Sequence, residues 1–146
     1  MYRLKRLYYW MLGPASAGLF LAGGAKEAGL INPFVLAPAI QALLFVLAAL
    51  TSIAAPLMVR TLFAHSLKGT PRVDGQRFFR FQQRLLLIAL LTPWLAILVM
   101  VFEVQKFYGS AIILMALYAA YYYYPSEGRI AFDRKIFRVE EHEKPI

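Results

Sequence analysis

The chain predicts an all-α integral membrane protein, a four-helix transmembrane bundle with both termini cytoplasmic. Three observations carry that prediction. First, 60% of its 146 residues are hydrophobic and only 16% charged, whereas soluble domains are roughly half apolar. Second, the apolar residues are gathered into blocks of about twenty, the length that crosses a ~30 Å hydrocarbon core as a helix. Third, fourteen of the sixteen basic residues fall in three places that the blocks separate: Arg3, Lys5 and Arg6; then Arg60, Lys68, Arg72, Arg77, Arg80 and Arg84; then Arg129, Arg134, Lys135, Arg138 and Lys144.

The first expected span is 7–25, entered through Tyr8, Tyr9 and Trp10. The second is 34–59, interrupted among polar residues by Gln41, Thr51 and Ser52. The third is 85–102 and the fourth 107–124. Each must be helical, because an unpaired backbone amide or carbonyl has no partner in hydrocarbon. These spans make residues 1–124 a membrane domain, with a basic loop at 60–84 and an amphipathic tail at 125–146.

Lysine and arginine mark the cytoplasmic face. An even number of spans between the three basic places puts them all on that face, which four helices satisfy. The two remaining connections carry Lys26 and Lys106, each beside an acid, Glu27 and Glu103. A cleavable signal peptide is the competing account of the N-terminus, but the first run is longer than a typical apolar signal core. Cleavage would also leave three spans and spoil the charge agreement.

In lipid, helices associate through close approach of small residues. Pro14, Gly18, Ala22 and Ala25 form such a face on the first helix, Gln41, Ala48, Ser52 and Ala55 on the second, and Gly109, Ile113, Ala116 and Ala120 on the fourth. The second apolar run, 33–64, would be about 48 Å long as a helix and so must tilt, kink or leave the bilayer. Pro38 and Pro56 offer kinks there, and Pro93 offers one in the third helix. The 103–106 link is short enough to force a tight hairpin. Tyr118 and Tyr121–Tyr124, like the N-terminal aromatics, suit an interfacial belt.

Two polar residues are candidate intramembrane sites. Glu103 would be a proton or cation site if it lay inside the bundle; the plainer expectation is a water-exposed loop residue paired with Lys106, because Gln105 and Lys106 follow at once. Gln41 would hydrogen-bond across helices or line a polar cavity, and interhelical bonding is the commoner use. Segment 75–84, GQRFFRFQQR, sets Arg77, Arg80 and Arg84 at helical spacing with Phe78, Phe79 and Phe81 between them. That is the pattern of a basic, aromatic interfacial helix, so Arg77, Arg80, Arg84 and the snorkelling Arg60 are expected on lipid headgroups. The 68–75 turn, with Gly69, Pro71 and Gly75, is a flexible break before it. In the tail, Ser126 is an expected helix cap, and Ile130, Phe132, Ile136 and Phe137 are expected partner contacts.

Several functions lose their footing. With no cysteine there is no disulfide relay and no thiolate metal or iron–sulfur site. His65 and His142 lie outside the span centres, which defeats bis-histidine haem ligation. No phosphate loop, GxSxG, HExxH or CxxC occurs, and no acid lies in the centre of the first span. His65, Asp74 and Glu103 do not assemble into a lipid-modifying centre. The net charge of +8 lies beside apolar runs, so anionic headgroups, not nucleic acid, are the expected partners. No cofactor is expected. The sequence therefore favours a small non-enzymatic membrane subunit that assembles with a larger complex or with itself, in a bacterial inner membrane. The alternative is a self-contained transporter or channel component using Glu103 and Gln41.

Overall fold

The computed structural model describes residues 2–32, 34–69 and 72–139. Pro33, Pro71, His142, Lys144 and the charged ending at 140–144 lie outside the described residues. Among the described residues seven α-helices follow one another: α1 (Tyr2–Glu27), α2 (Pro38–Ala49), α3 (Ala55–Ser66), α4 (Gly75–Ala89), α5 (Leu91–Val101), α6 (Lys106–Tyr122) and α7 (Glu127–Ile136). Among the described residues there is no strand, only two isolated parallel bridges, Val35 with Glu103 and Val73 with Val139.

Proline and hydroxyl chemistry explain where the helices change character. Pro38 opens α2, where a missing N–H costs nothing, so it starts a helix and does not kink one. Pro56 is fully buried, and its ring cannot sit over an α-helical carbonyl four residues back. Just upstream of it, the five residues Leu50–Ala54 open into a π-turn in which the Ala55 N–H donates to the Leu50 carbonyl. Ser52 Oγ donates to the Ala48 carbonyl at 2.6 Å there. α2, the π-turn and α3 thus form one rod, Pro38–Ser66. Pro93 lies in the first turn of α5, and the break it causes falls at Leu90, three residues earlier. Gly75–Val101 is the second long rod. These two rods, of 29 and 27 residues, are long and apolar enough to cross a membrane.

α5 lies against α1, α2 and α6, while α3 and α4 pack as an antiparallel pair. Close approach uses small residues, as expected, though on α1 the inward face is Ala15, Gly18 and Ala22 and Pro14 is exposed. A Cβ on Gly18 would lie 2.9 Å from Ile97 Cδ1, and one on Gly109 would lie 3.2 Å from Val99 Cγ1. The interior divides in two. Leu44, Ala48, Ala96, Val99, Ile112 and Ala116 make a small-residue core between α2, α5 and α6. A larger core rich in aromatics holds Tyr8, Phe78, Phe81, Tyr123 and Phe137 with Leu85, Leu86 and Leu90.

Contacts sort the connections to opposite ends. At one end the Lys5 ammonium meets Glu127 at 3.2 Å, Tyr8 Oη donates to the Ala120 carbonyl at 2.7 Å, and Val73 N–H donates to the Arg138 carbonyl at 3.2 Å. At the other, Glu103 N–H donates to the Phe34 carbonyl and Leu36 N–H to the Glu103 carbonyl. All three basic groups therefore share an end.

The helices extend beyond the approximate bounds of the expected span at 34–59 and loop at 60–84: 34–37 is extended, and helices run to Ser66 and from Gly75, leaving a link of only 67–74. Within the amphipathic tail expected at 125–146, α7 packs against α3 and α4 through Asp133 and Phe137.

Candidate functional site

The tail docks because its inward positions alternate between apolar and acidic at helical spacing. Ser126 caps α7, its Oγ accepting from the Arg129 N–H at 3.3 Å. Ile130, Asp133 and Phe137 then fall on one face, and all three are buried. Asp133 uses both carboxylate oxygens: Oδ1 accepts from Arg60 Nη2 at 2.7 Å, and Oδ2 accepts from Gln82 Nε2 at 2.8 Å. One carboxylate thus ties α7 to α3 and α4 together. A charge this deeply buried is tolerable only when paired and hydrogen-bonded.

An aromatic cluster lies beside that carboxylate. Phe63 and Phe81 stack at 4.1 Å, and Phe137 meets both edge-on at 5.2 and 5.5 Å. Each such pair adds about 0.5–1.5 kcal/mol beyond its area burial. The Arg60 guanidinium sits 6.0 Å from the Phe137 ring. α7 ends at Arg138, whose φ of 50° lies in the left-handed region. The Val139 N–H then donates back to the Arg134 carbonyl and the Arg138 N–H to the Lys135 carbonyl, which is a Schellman ending. That turn delivers the chain to Val73.

The opposite face of the α3–α4 pair is an open cleft of about 550 Å³. α3 lines it with Val59, Leu62, Phe63 and Ser66, α4 with Arg77, Arg80, Arg84, Leu87 and Ile88. Along α4 these five residues occupy a stripe about 100° wide, while Phe78, Gln82, Leu85 and Leu86 turn inward. The cleft therefore changes along its length from basic to apolar. Arg77 reaches Ser66 Oγ at 3.4 Å. Among the described residues, no ion pair engages Arg77, Arg80 or Arg84.

The remaining expected sites are placed differently from one another. Gln41 is buried; its Nε2 donates to the Leu36 carbonyl at 2.6 Å, and its Oε1 accepts from the Gln105 N–H at 2.8 Å. It ties the start of α2 to the residue that precedes α6. The Glu103 side chain is exposed in the 102–105 link, not between helices, and among the described residues it makes no ion pair with Lys106. The structure does not bring Glu103 and Gln41 to one polar centre. Arg60 serves Asp133 where a lipid headgroup was expected. Phe78 and Phe81 belong to the core, not to an interfacial surface. Of the four expected partner contacts, Ile130 and Phe137 are spent internally, while Phe132 and Ile136 are 62% and 49% exposed. The tyrosines also divide: Tyr8 and Tyr123 are buried, and Arg129 lies 4.8 and 5.1 Å from the Tyr122 and Tyr123 rings.

Sequence reasoning passed over the pairing of Asp133 with Arg60 and Gln82. The available signal was an acid at the centre of an apolar tail face, with an arginine at the end of an apolar span to receive it. His65 is exposed at the end of α3. Among the described residues no group of three or more His, Cys, Asp or Glu side chains is placed to hold a metal ion. No family model, curated protein or solved structure matches the chain.

Proposed function

We propose that the chain is a small integral membrane subunit of four passes, formed by α1, the Pro38–Ser66 rod, the Gly75–Val101 rod and α6. Its termini, the 67–74 link and α7 face the cytoplasm, and it assembles with a larger membrane complex or with itself without catalysing a reaction. A bacterial inner membrane is the compartment proposed for it.

The observation that carries this reading is the outer face of the Pro38–Ser66 rod. Leu43, Leu57, Met58 and Leu62 are 56–62% exposed, and only 22% of its apolar window is buried inside the molecule. Such a face is stable against lipid or against another helix. The interhelical polar groups favour a scaffold over a conduit. Thr51 and Thr92 hydroxyls lie 2.9 Å apart, Ser52 is bonded within its own helix, and Gln41 is occupied at both ends of its amide. The transporter alternative relied on Glu103 and Gln41; Gln41 spends its amide on the Leu36 carbonyl and the Gln105 N–H, and the Glu103 side chain is exposed.

Native mass spectrometry of the tagged chain, purified in nanodiscs, tests the reading. Stoichiometric co-purifying subunits or a defined homo-oligomer are the expected result. A lone monomer that catalyses ion or solute flux would overturn it. Because the chain has no cysteine, single-cysteine variants at Lys68 and at Leu30, which is exposed, also report topology. A membrane-impermeant maleimide added from the cytoplasmic side is expected to label the first and spare the second.

A further inference from the structure

We propose that the cleft between α3 and α4 is a binding site for one anionic phospholipid. The proposal rests on the membrane reading above and names a ligand for a surface that reading leaves unused. Three arginines line one half of the cleft, and among the described residues no acidic side chain lines it. Asp133, the nearest buried acid, is turned to the other face of the pair and occupied by Arg60 and Gln82.

The order of residues along the cleft matches an amphiphile. Ser66 and Arg77 stand at the end next to the 67–74 link, Arg80 and Arg84 follow one and two turns on, and Leu87 and Ile88 continue the same stripe toward the apolar part of the rod. Across the cleft, Leu62 and Val59 run in the same direction on α3. Arg77 to Arg84 covers about 10 Å of helix rise, room for a phosphodiester and its glycerol backbone. The acyl chain then lies along Leu62, Val59, Leu87 and Ile88, with the stacked Phe63 and Phe81 rings as its floor. Arginine suits this task, because its fork donates two parallel hydrogen bonds to phosphate. Free phosphate would leave the apolar half uncovered, and an acidic peptide would bring backbone amides onto leucine and isoleucine with no partners.

The test is native mass spectrometry of the full chain released from nanodiscs of equal phosphatidylglycerol and phosphatidylcholine, counting retained lipids. One retained phosphatidylglycerol per chain is expected. Arg80→Gln with Arg84→Gln is expected to weaken retention roughly thirtyfold, from the loss of two headgroup attractions. Arg134→Gln with Lys135→Gln removes the same charge from α7 and is expected to leave retention intact. Leu62→Trp, which fills the apolar half, is expected to displace the lipid with all arginines present. Equal losses in the two charge variants, unchanged retention in Leu62→Trp, or displacement of the lipid by millimolar inorganic phosphate would each overturn the site. Circular dichroism of every variant guards against misfolding, to which these exposed positions contribute little. Release of the wild-type chain from membranes by alkaline carbonate would overturn the membrane reading instead. Firm insertion with unselective lipid retention overturns the site alone.

Discussion

Asp133 and Arg60 are separated by 73 residues of chain and by 2.7 Å in space. Gln82 completes the contact from a third helix, so a single carboxylate determines where the tail lies. Asp133→Ala should therefore destabilise the charged end. The Asp133 side chain is 5% exposed but that of Arg60 is 31% exposed, so water screens the arginine left behind. The expected cost is about 1–3 kcal/mol, below that of a fully buried pair. Thermal unfolding in detergent measures it, and an unchanged midpoint would remove the carboxylate from its role. Replacing both residues together with Leu and Met should recover part of the loss.

Truncation after Tyr124 should open the aromatic core, since Ile130 and Phe137 leave it together. Trypsin is expected to cut at Arg77, Arg80 and Arg84 much faster in the truncated chain than in the full one. Equal digestion rates would mean that α7 does not protect the α3–α4 pair.

Gln41→Leu should weaken the far end of the molecule. It removes the part-buried bonds to the Leu36 carbonyl and from the Gln105 N–H, at about 0.5–1.5 kcal/mol each, since water can reach the groups left behind. The diagnostic is the pairing of two assays: stability in detergent falls, while any flux measured in liposomes changes only as folded protein is lost. A flux defect in a fully stable variant would restore Gln41 to the transporter reading.

The two glycine contacts should respond differently. At Gly18 a new Cβ meets the tip of Ile97, a flexible end that can rotate away. Gly18→Ala is then expected to be neutral or to stabilise by up to about 1 kcal/mol through helix propensity. At Gly109 the neighbour is Val99, stiff about its first torsion. Gly109→Val should cost about 1–3 kcal/mol by overpacking. Chemical denaturation of the pair decides it, and equal effects would contradict the geometry.

How much of this was legible in the sequence depends on the range of the interaction. The long apolar rods and the common placement of the three basic clusters follow from local composition, and the rods and the shared end are there. Prolines marked where regular helix fails, but not how. Pro38 starts a helix, Pro56 is preceded by a wide turn, and Pro93 acts three residues upstream. The alternation of arginine and phenylalanine at 75–84 was read as one mixed surface. Helical periodicity instead separates Arg77, Arg80 and Arg84 from Phe78 and Phe81, and only the presence of Phe63 and Phe137 shows that the aromatic face is buried. The pairing of Asp133 shows the same limit: an acid on an apolar tail face is a local signal, but its partners Arg60 and Gln82 lie on two other helices.

The docking of α7 also has an order in time. It is translated after every helix that it clamps, so Arg60 and Gln82 have no carboxylate to meet, and Phe63, Phe78 and Phe81 have no cover, until that segment arrives. A chain interrupted before Asp133 would present an open aromatic surface beside unpaired charge, the kind of surface that proteases and chaperones recognise as unfinished. Closure of this end thus waits on α7, whose Asp133 and Phe137 complete contacts that α3 and α4 have left open.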